Sequence, residues 1–106
     1  MPKYLFEASY TSEGAKGLLK EGGSSRRATV EQAIKALGGT QEAFYFAYGD
    51  VDVFVIADLP DDASCTAVAL TISASGTVKL KTTVLISPET VDEAVKKSVG
   101  YRAPGQ

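Results

Sequence analysis

A chain of 106 residues, 44% hydrophobic and 23% charged, has room for one compact core, which excludes paired catalytic lobes. Eleven basic against thirteen acidic side chains leave a net charge of −2, too even a balance to present the basic surface that nucleic acid or anionic lipid needs. Neither nucleic acid nor a membrane is therefore expected as a partner. No apolar run approaches the roughly 20 residues of a bilayer crossing. The opening MPKYLFEASY lacks the hydrophobic block of a secretory signal, so the expected location is the cytoplasm. Histidine is absent, which removes the commonest metal ligand and the one side chain that titrates near neutrality. The lone Cys65 has no Cys or His to share a metal or disulfide and reads as a small buried apolar residue. With no phosphate-binding glycine motif either, no cofactor or metal is expected.

Lys3 to Tyr10 alternates Tyr4, Phe6, Ala8 and Tyr10 against Lys3, Leu5, Glu7 and Ser9, the period of a strand. Thr11 or Ser12 can cap a helical segment with Ala15, Leu18 and Leu19 as its apolar positions. A Gly-Ser loop at Gly22 to Ser25 then interrupts it. Thr29 and Gln32 have the spacing of a capping box, which predicts a second helix with Val30, Ala33, Ile34 and Leu37 on one face, ended by Gly38-Gly39. Gln41 to Tyr48 and Val51 to Leu59 read as two strands of a hairpin turning at Gly49-Asp50. Asp61-Asp62 opens a third helix, its stripe predicted as Ala63, Ala67, Leu70 and Ala74, with Gly76 as C-terminal cap. Alternation resumes from Thr77 to Ile86, and Ser87-Pro88 starts a short terminal helix through about Lys97. Residues 1–99 form one domain and 100–106 a tail.

Strand, helix, strand, strand, helix, strand predicts a ferredoxin-like βαββαβ fold of the α+β class, with an antiparallel four-stranded sheet and helices on one face. The other face is then uncovered, yet both sides of the central hairpin are apolar: Phe44, Phe46 and Tyr48 point one way, Ala43, Tyr45 and Ala47 the other. Burying one large apolar side chain is worth roughly 1.5 to 3 kcal/mol, so a homodimer packed sheet on sheet, or a higher homo-oligomer, is expected. The competing expectation is a monomer whose terminal helix and tail cover that face.

The LGG at Leu37 to Gly39, the hairpin FYFAYGDVDVFVIADLPDD from Phe44 to Asp62 and the return strand ending at Ile86 resemble the GYD domain family. Here the hairpin reads Tyr48-Gly49-Asp50-Val51-Asp52, with Val51 where a second aromatic is often seen. The resemblance implies a dimeric α/β-barrel type of assembly and brings no established activity, substrate or catalytic residue.

Chemistry-bearing residues are few. Asp50 and Asp52 flank the hairpin turn with Tyr48 in phase, and a partly desolvated Asp52 is the candidate general base. Asp at a turn also bonds local backbone N–H groups, which needs no chemistry. Arg26 and Arg27, between the Gly-Ser loop and the Thr29 cap, could meet an anionic ligand. Tyr4, Tyr10 and Tyr45 could line a pocket. Three functions are compatible with these residues. The first is binding of a small apolar or aromatic metabolite between sheet and helices, with Tyr45, Tyr48, Asp50, Asp52, Arg26 and Arg27 as candidate contacts. The second is a cofactor-independent isomerase, lyase or monooxygenase with Asp52 as base, and the third a purely structural assembly unit.

Overall fold

A computed structural model describes all 106 residues. In chain order the elements are β1 (Lys3–Tyr10), α1 (Ser12–Glu21), α2 (Gly23–Ala36), β2 (Thr40–Phe46), β3 (Val53–Asp58), α3 (Asp62–Ala74), β4 (Val78–Leu85) and α4 (Pro88–Val95). The four strands form one antiparallel sheet in the order β2-β3-β1-β4. This is the ferredoxin-like α+β arrangement that the element order predicts, with the first helix split in two and α4 appended. No helix is long and apolar enough to cross a membrane.

Period-two alternation decides which face of the sheet is dry. Tyr4, Phe6 and Ala8 of β1, Val53, Val55 and Ala57 of β3 and Val78 of β4 are buried beneath Ile34 of α2 and Cys65 and Val68 of α3. Only 13 of 106 residues are buried. One large-to-small core change, at about 2–5 kcal/mol, therefore removes much of the roughly 5–15 kcal/mol by which such domains are stable.

The helices differ from expectation in their boundaries and faces. Gly22, at φ 86°, ends α1 by donating to the Leu18 carbonyl at 2.8 Å, and α2 begins at the next residue. The loop is thus one residue long, a conformation that glycine adopts without strain. Thr29 and Gln32 consequently lie inside α2 and form no capping box; the Thr29 hydroxyl donates to the Ser25 carbonyl one turn back at 2.9 Å. Arg26 and Arg27 stand in the first turns of α2 rather than ahead of a cap. On α1 the buried position is Gly14, not Leu19, because a Cβ there would collide with the Thr77 carbonyl. On α3 the inward residues are Cys65, Val68 and Ile72, while Leu70 is exposed. Small apolar residues and Ser or Thr alternate around that helix, so periodicity alone gave no phase. Asp61 caps it as expected, accepting from the Ser64 N–H at 2.8 Å, and this bond holds the Asp61 carboxyl below its ordinary range.

The β2–β3 pairing carries a bulge. Gln41 faces Ala57 and Ala43 faces Ile56, so Glu42 is the extra residue. Beyond it Phe44 and Phe46 point to the helices, while Ala43 and Tyr45 share the open face with Leu5, Phe54 and Ile56. Glu42 and Asp58 both pair with Lys3, the latter at 3.0 Å. The hairpin connection is wider than a two-residue turn. Strand pairing ends at Phe46 and Val53, and a further bond from the Ala47 N–H to the Asp52 carbonyl closes the neck at 2.8 Å. The terminal helix α4 does not cover the open face, since every residue of it is exposed.

Candidate functional site

At the end of the sheet where β1 leaves for α1 and the hairpin opens, the chain forms a groove of about 470 Å³. Its walls are Ala15 and Leu18 of α1, Tyr10 at the end of β1, and Phe46, Ala47 and Tyr48 of the hairpin, with Asp52 the only charged group. The volume lies within the roughly 300–1,000 Å³ of small-molecule sites. Each wall has a local cause. Thr11 caps α1 by accepting from the Gly14 N–H, and its own N–H donates to the Thr77 carbonyl at 3.0 Å, which anchors the start of α1 against β4. Phe46 is held edge-on to Phe44, ring centroids 5.3 Å apart, and packs against Gly23, where any Cβ would crowd its ring.

Asp52 is locked by contacts far away in sequence. Its Oδ2 accepts the Tyr10 N–H at 2.8 Å, and its own N–H donates to the Ala8 carbonyl at 2.9 Å. The carboxylate therefore braces the hairpin against β1 rather than bonding within its own turn. Tyr10 separates the groove from an inner cavity of only about 40 Å³, lined by Arg26 and otherwise by hydrophobic side chains such as Phe6, Val30 and Ile34. That interior is too small for a metabolite. Burial pushes the Tyr10 phenol above its ordinary value; the positive charge of Arg26 pulls it back, and Asp52 and Glu21 push it further up. Glu21 lies 4.0 Å from Arg26 across the Gly22 break.

The candidate residues thus divide. Tyr48 and Asp52 meet in the groove, and Arg26 stands behind Tyr10. Asp50 stays in the exposed turn, its carbonyl accepting from the Ser9 hydroxyl at 3.1 Å. Arg27 and Tyr45 lie elsewhere, around a polar hollow with Glu31, Gln41 and Glu42. Tyr4 lines no groove; it is a core residue whose hydroxyl donates to Asp62 Oδ1 at 2.6 Å. Sequence reasoning missed Leu18 and Phe46 as groove walls and Glu21 as the partner of Arg26. The two charges flanking Gly22-Gly23 were the available signal for that pair.

Residues 4–95 match the model of the GYD domain. The chain belongs to the GYD domain family. The GYD domain therefore runs from β1 to the last residue of α4, taking in the groove, the hairpin and the terminal helix. No curated protein and no solved structure matches the chain, so the chemistry of this GYD domain is argued from its own side chains.

Proposed function

We propose that this GYD-domain protein is a cytoplasmic small-molecule binding protein that works as a homodimer and takes an apolar or aromatic ligand in the groove between α1 and the β2–β3 hairpin. The observation that carries the reading is the lining: three aromatic rings, a leucine and two alanines border the open groove, with one carboxylate at its edge. Such a surface gains by losing water to an apolar ligand. Asp52 spends Oδ2 on the Tyr10 N–H and keeps Oδ1 free of protein donors, so it can orient a hydroxyl or amine on the ligand. The same bond favours binding over proton abstraction, because Oδ2 is already occupied by a backbone N–H and holds the carboxylate in place.

The homodimer rests on the open sheet face. Exposed Tyr45 and half-buried Leu5, Phe54 and Ile56 lie side by side there, the kind of apolar patch that marks an interface.

A thermal-shift screen of aromatic and apolar metabolites tests the ligand reading. A ligand at about 100 times its Kd should stabilise the fold by about 2.7 kcal/mol, and a roughly tenfold loss of affinity in Tyr48→Ala should cut that to about 1.4 kcal/mol or less. A screen in which no aromatic compound raises the melting temperature, or in which Tyr48→Ala leaves every shift intact, refutes the groove as the site and leaves the structural assembly unit standing.

A further inference from the structure

Besides the open sheet face, a second surface of this chain lacks cover. Ile86, Val91, Val95 and Val99 are between 45% and 80% exposed, and no residue of α4 is buried. The arm they form draws the molecule out to 57 Å and to a radius of gyration of 17.1 Å, where a compact chain of ~100 residues has about 13 Å. Yet α4 is a formed helix, with Ser87 accepting from the Thr90 N–H and Pro88 in its first turn. Isolated helices shorter than about 12–15 residues are marginal in water, and this one has eight. Local capping adds about 1 kcal/mol, so the packing that holds the helix has to come from outside its own chain.

The charges say what supplies it. Glu89, Asp92 and Glu93 crowd the first two turns of α4, and none makes an ion pair within the chain. Lys79 and Lys81, on the open face of β4, are exposed and form no ion pair, Lys81 standing across the ladder from Glu7. We infer that the arm, residues 86–101, docks on a second copy of this chain. Val91 and Val95, one turn apart, turn toward its sheet, and the acidic turns of α4 meet Lys79 and Lys81 of the partner subunit. The geometry follows from symmetry. Two open faces related by a two-fold axis that crosses the strands set the two β4 strands antiparallel, so the Leu85 end of one lies over the Lys79 end of the other. Each arm, leaving β4 after Leu85, then runs on past the opposing lysines, and the contact is reciprocal and closed.

This rests on the self-association proposed above, and sedimentation equilibrium on full-length variants separates the two. Val91→Lys with Val95→Lys, and separately Lys79→Glu with Lys81→Glu, should each weaken the dimer roughly tenfold or more, with circular dichroism showing an intact fold. Adding Glu89→Lys, Asp92→Lys and Glu93→Lys to the Lys79→Glu, Lys81→Glu chain should restore the dimer. Constants unchanged in both sets, or a charge reversal that the counter-reversal does not rescue, overturn the arm contact while self-association stands. A wild-type chain that stays monomeric at millimolar concentration overturns both.

Discussion

The carboxylate of Asp52 accepts the backbone N–H of Tyr10 across 42 residues of sequence, at 2.8 Å. The bond falls where the β1–β3 ladder has run out, one pair past Ala8 and Val53, and ties the mouth of the hairpin to the strand that leads into α1. It therefore sets the width of the groove. Asp52→Ala leaves a part-buried N–H without its charged acceptor and should cost about 1–3 kcal/mol. Asp52→Asn keeps an acceptor oxygen and should cost less. Thermal unfolding checks both, at about 4–8 °C per kcal/mol for a small domain; equal melting temperatures for wild type and Asp52→Ala would show that the brace carries no load.

Tyr48 offers the opposite case, since it is fully exposed and holds nothing together. Tyr48→Ala should leave the unfolding midpoint within about 0.5 kcal/mol of wild type, while any ligand found for the groove loses at least about tenfold in affinity by calorimetry. A drop in stability of the same size as at Asp52 would contradict this division of labour.

Alkaline unfolding should report on Tyr4. Its hydrogen bond to Asp62, helped by burial and by the negative charge of that carboxylate, pushes the phenol from 10.0 up to about 12. The folded value lies above the unfolded one, so the contribution is complete below pH 10 and drains away as pH climbs toward about 12. Tyr4→Phe lacks it throughout. Urea midpoints of the two proteins should differ at pH 7 and converge over that window. Cys65, whose thiol burial also pushes up, is common to both chains.

Gly14→Ala should destabilise although alanine is the better helix former. The new methyl would strike the Thr77 carbonyl and crowd the Tyr10 ring, and overpacking of this kind costs about 1–3 kcal/mol. Gly17→Ala on the same helix meets open space and should stabilise by up to about 1 kcal/mol. Chemical denaturation of the pair gives a difference whose sign is the test.

How far the sequence could be read depended on how strongly each segment committed to one period. β1 and β4 alternate cleanly, and their bounds came out within a residue or two. Asp61, Ser87 and the Gly38-Gly39 stop each act through a local bond or a backbone angle, so they too were visible. The Thr29–Gln32 pair has the right spacing but sits downstream of Gly22, whose positive φ had already restarted the helix. In α3 the run from Ala63 to Ala74 mixes apolar residues with Ser and Thr on every side, and only the sheet beneath it selects Cys65, Val68 and Ile72. The site was half legible for the same reason. Tyr48 and Asp52 are neighbours along one hairpin, whereas Leu18 and Tyr10 reach the groove through the packing of α1 on β4, which no spacing encodes. Arg27 and Tyr45 were grouped with the others because nothing local says that the first turn of α2 sends successive arginines to different sides.

The extra residue at Glu42 gives the hairpin something like a reading frame. Downstream of it, odd and even positions of β2 are sorted between the open face and the helix-covered core, so adding or removing one amino acid between the bulge and Phe46 would exchange the two sets. The paired Phe rings would then surface and Tyr45 would be driven inward, disturbing the ligand groove and the sheet's outer face in a single step. Length variation in this protein is therefore tolerable beyond Ala47, in the open turn, and hazardous a few positions before it.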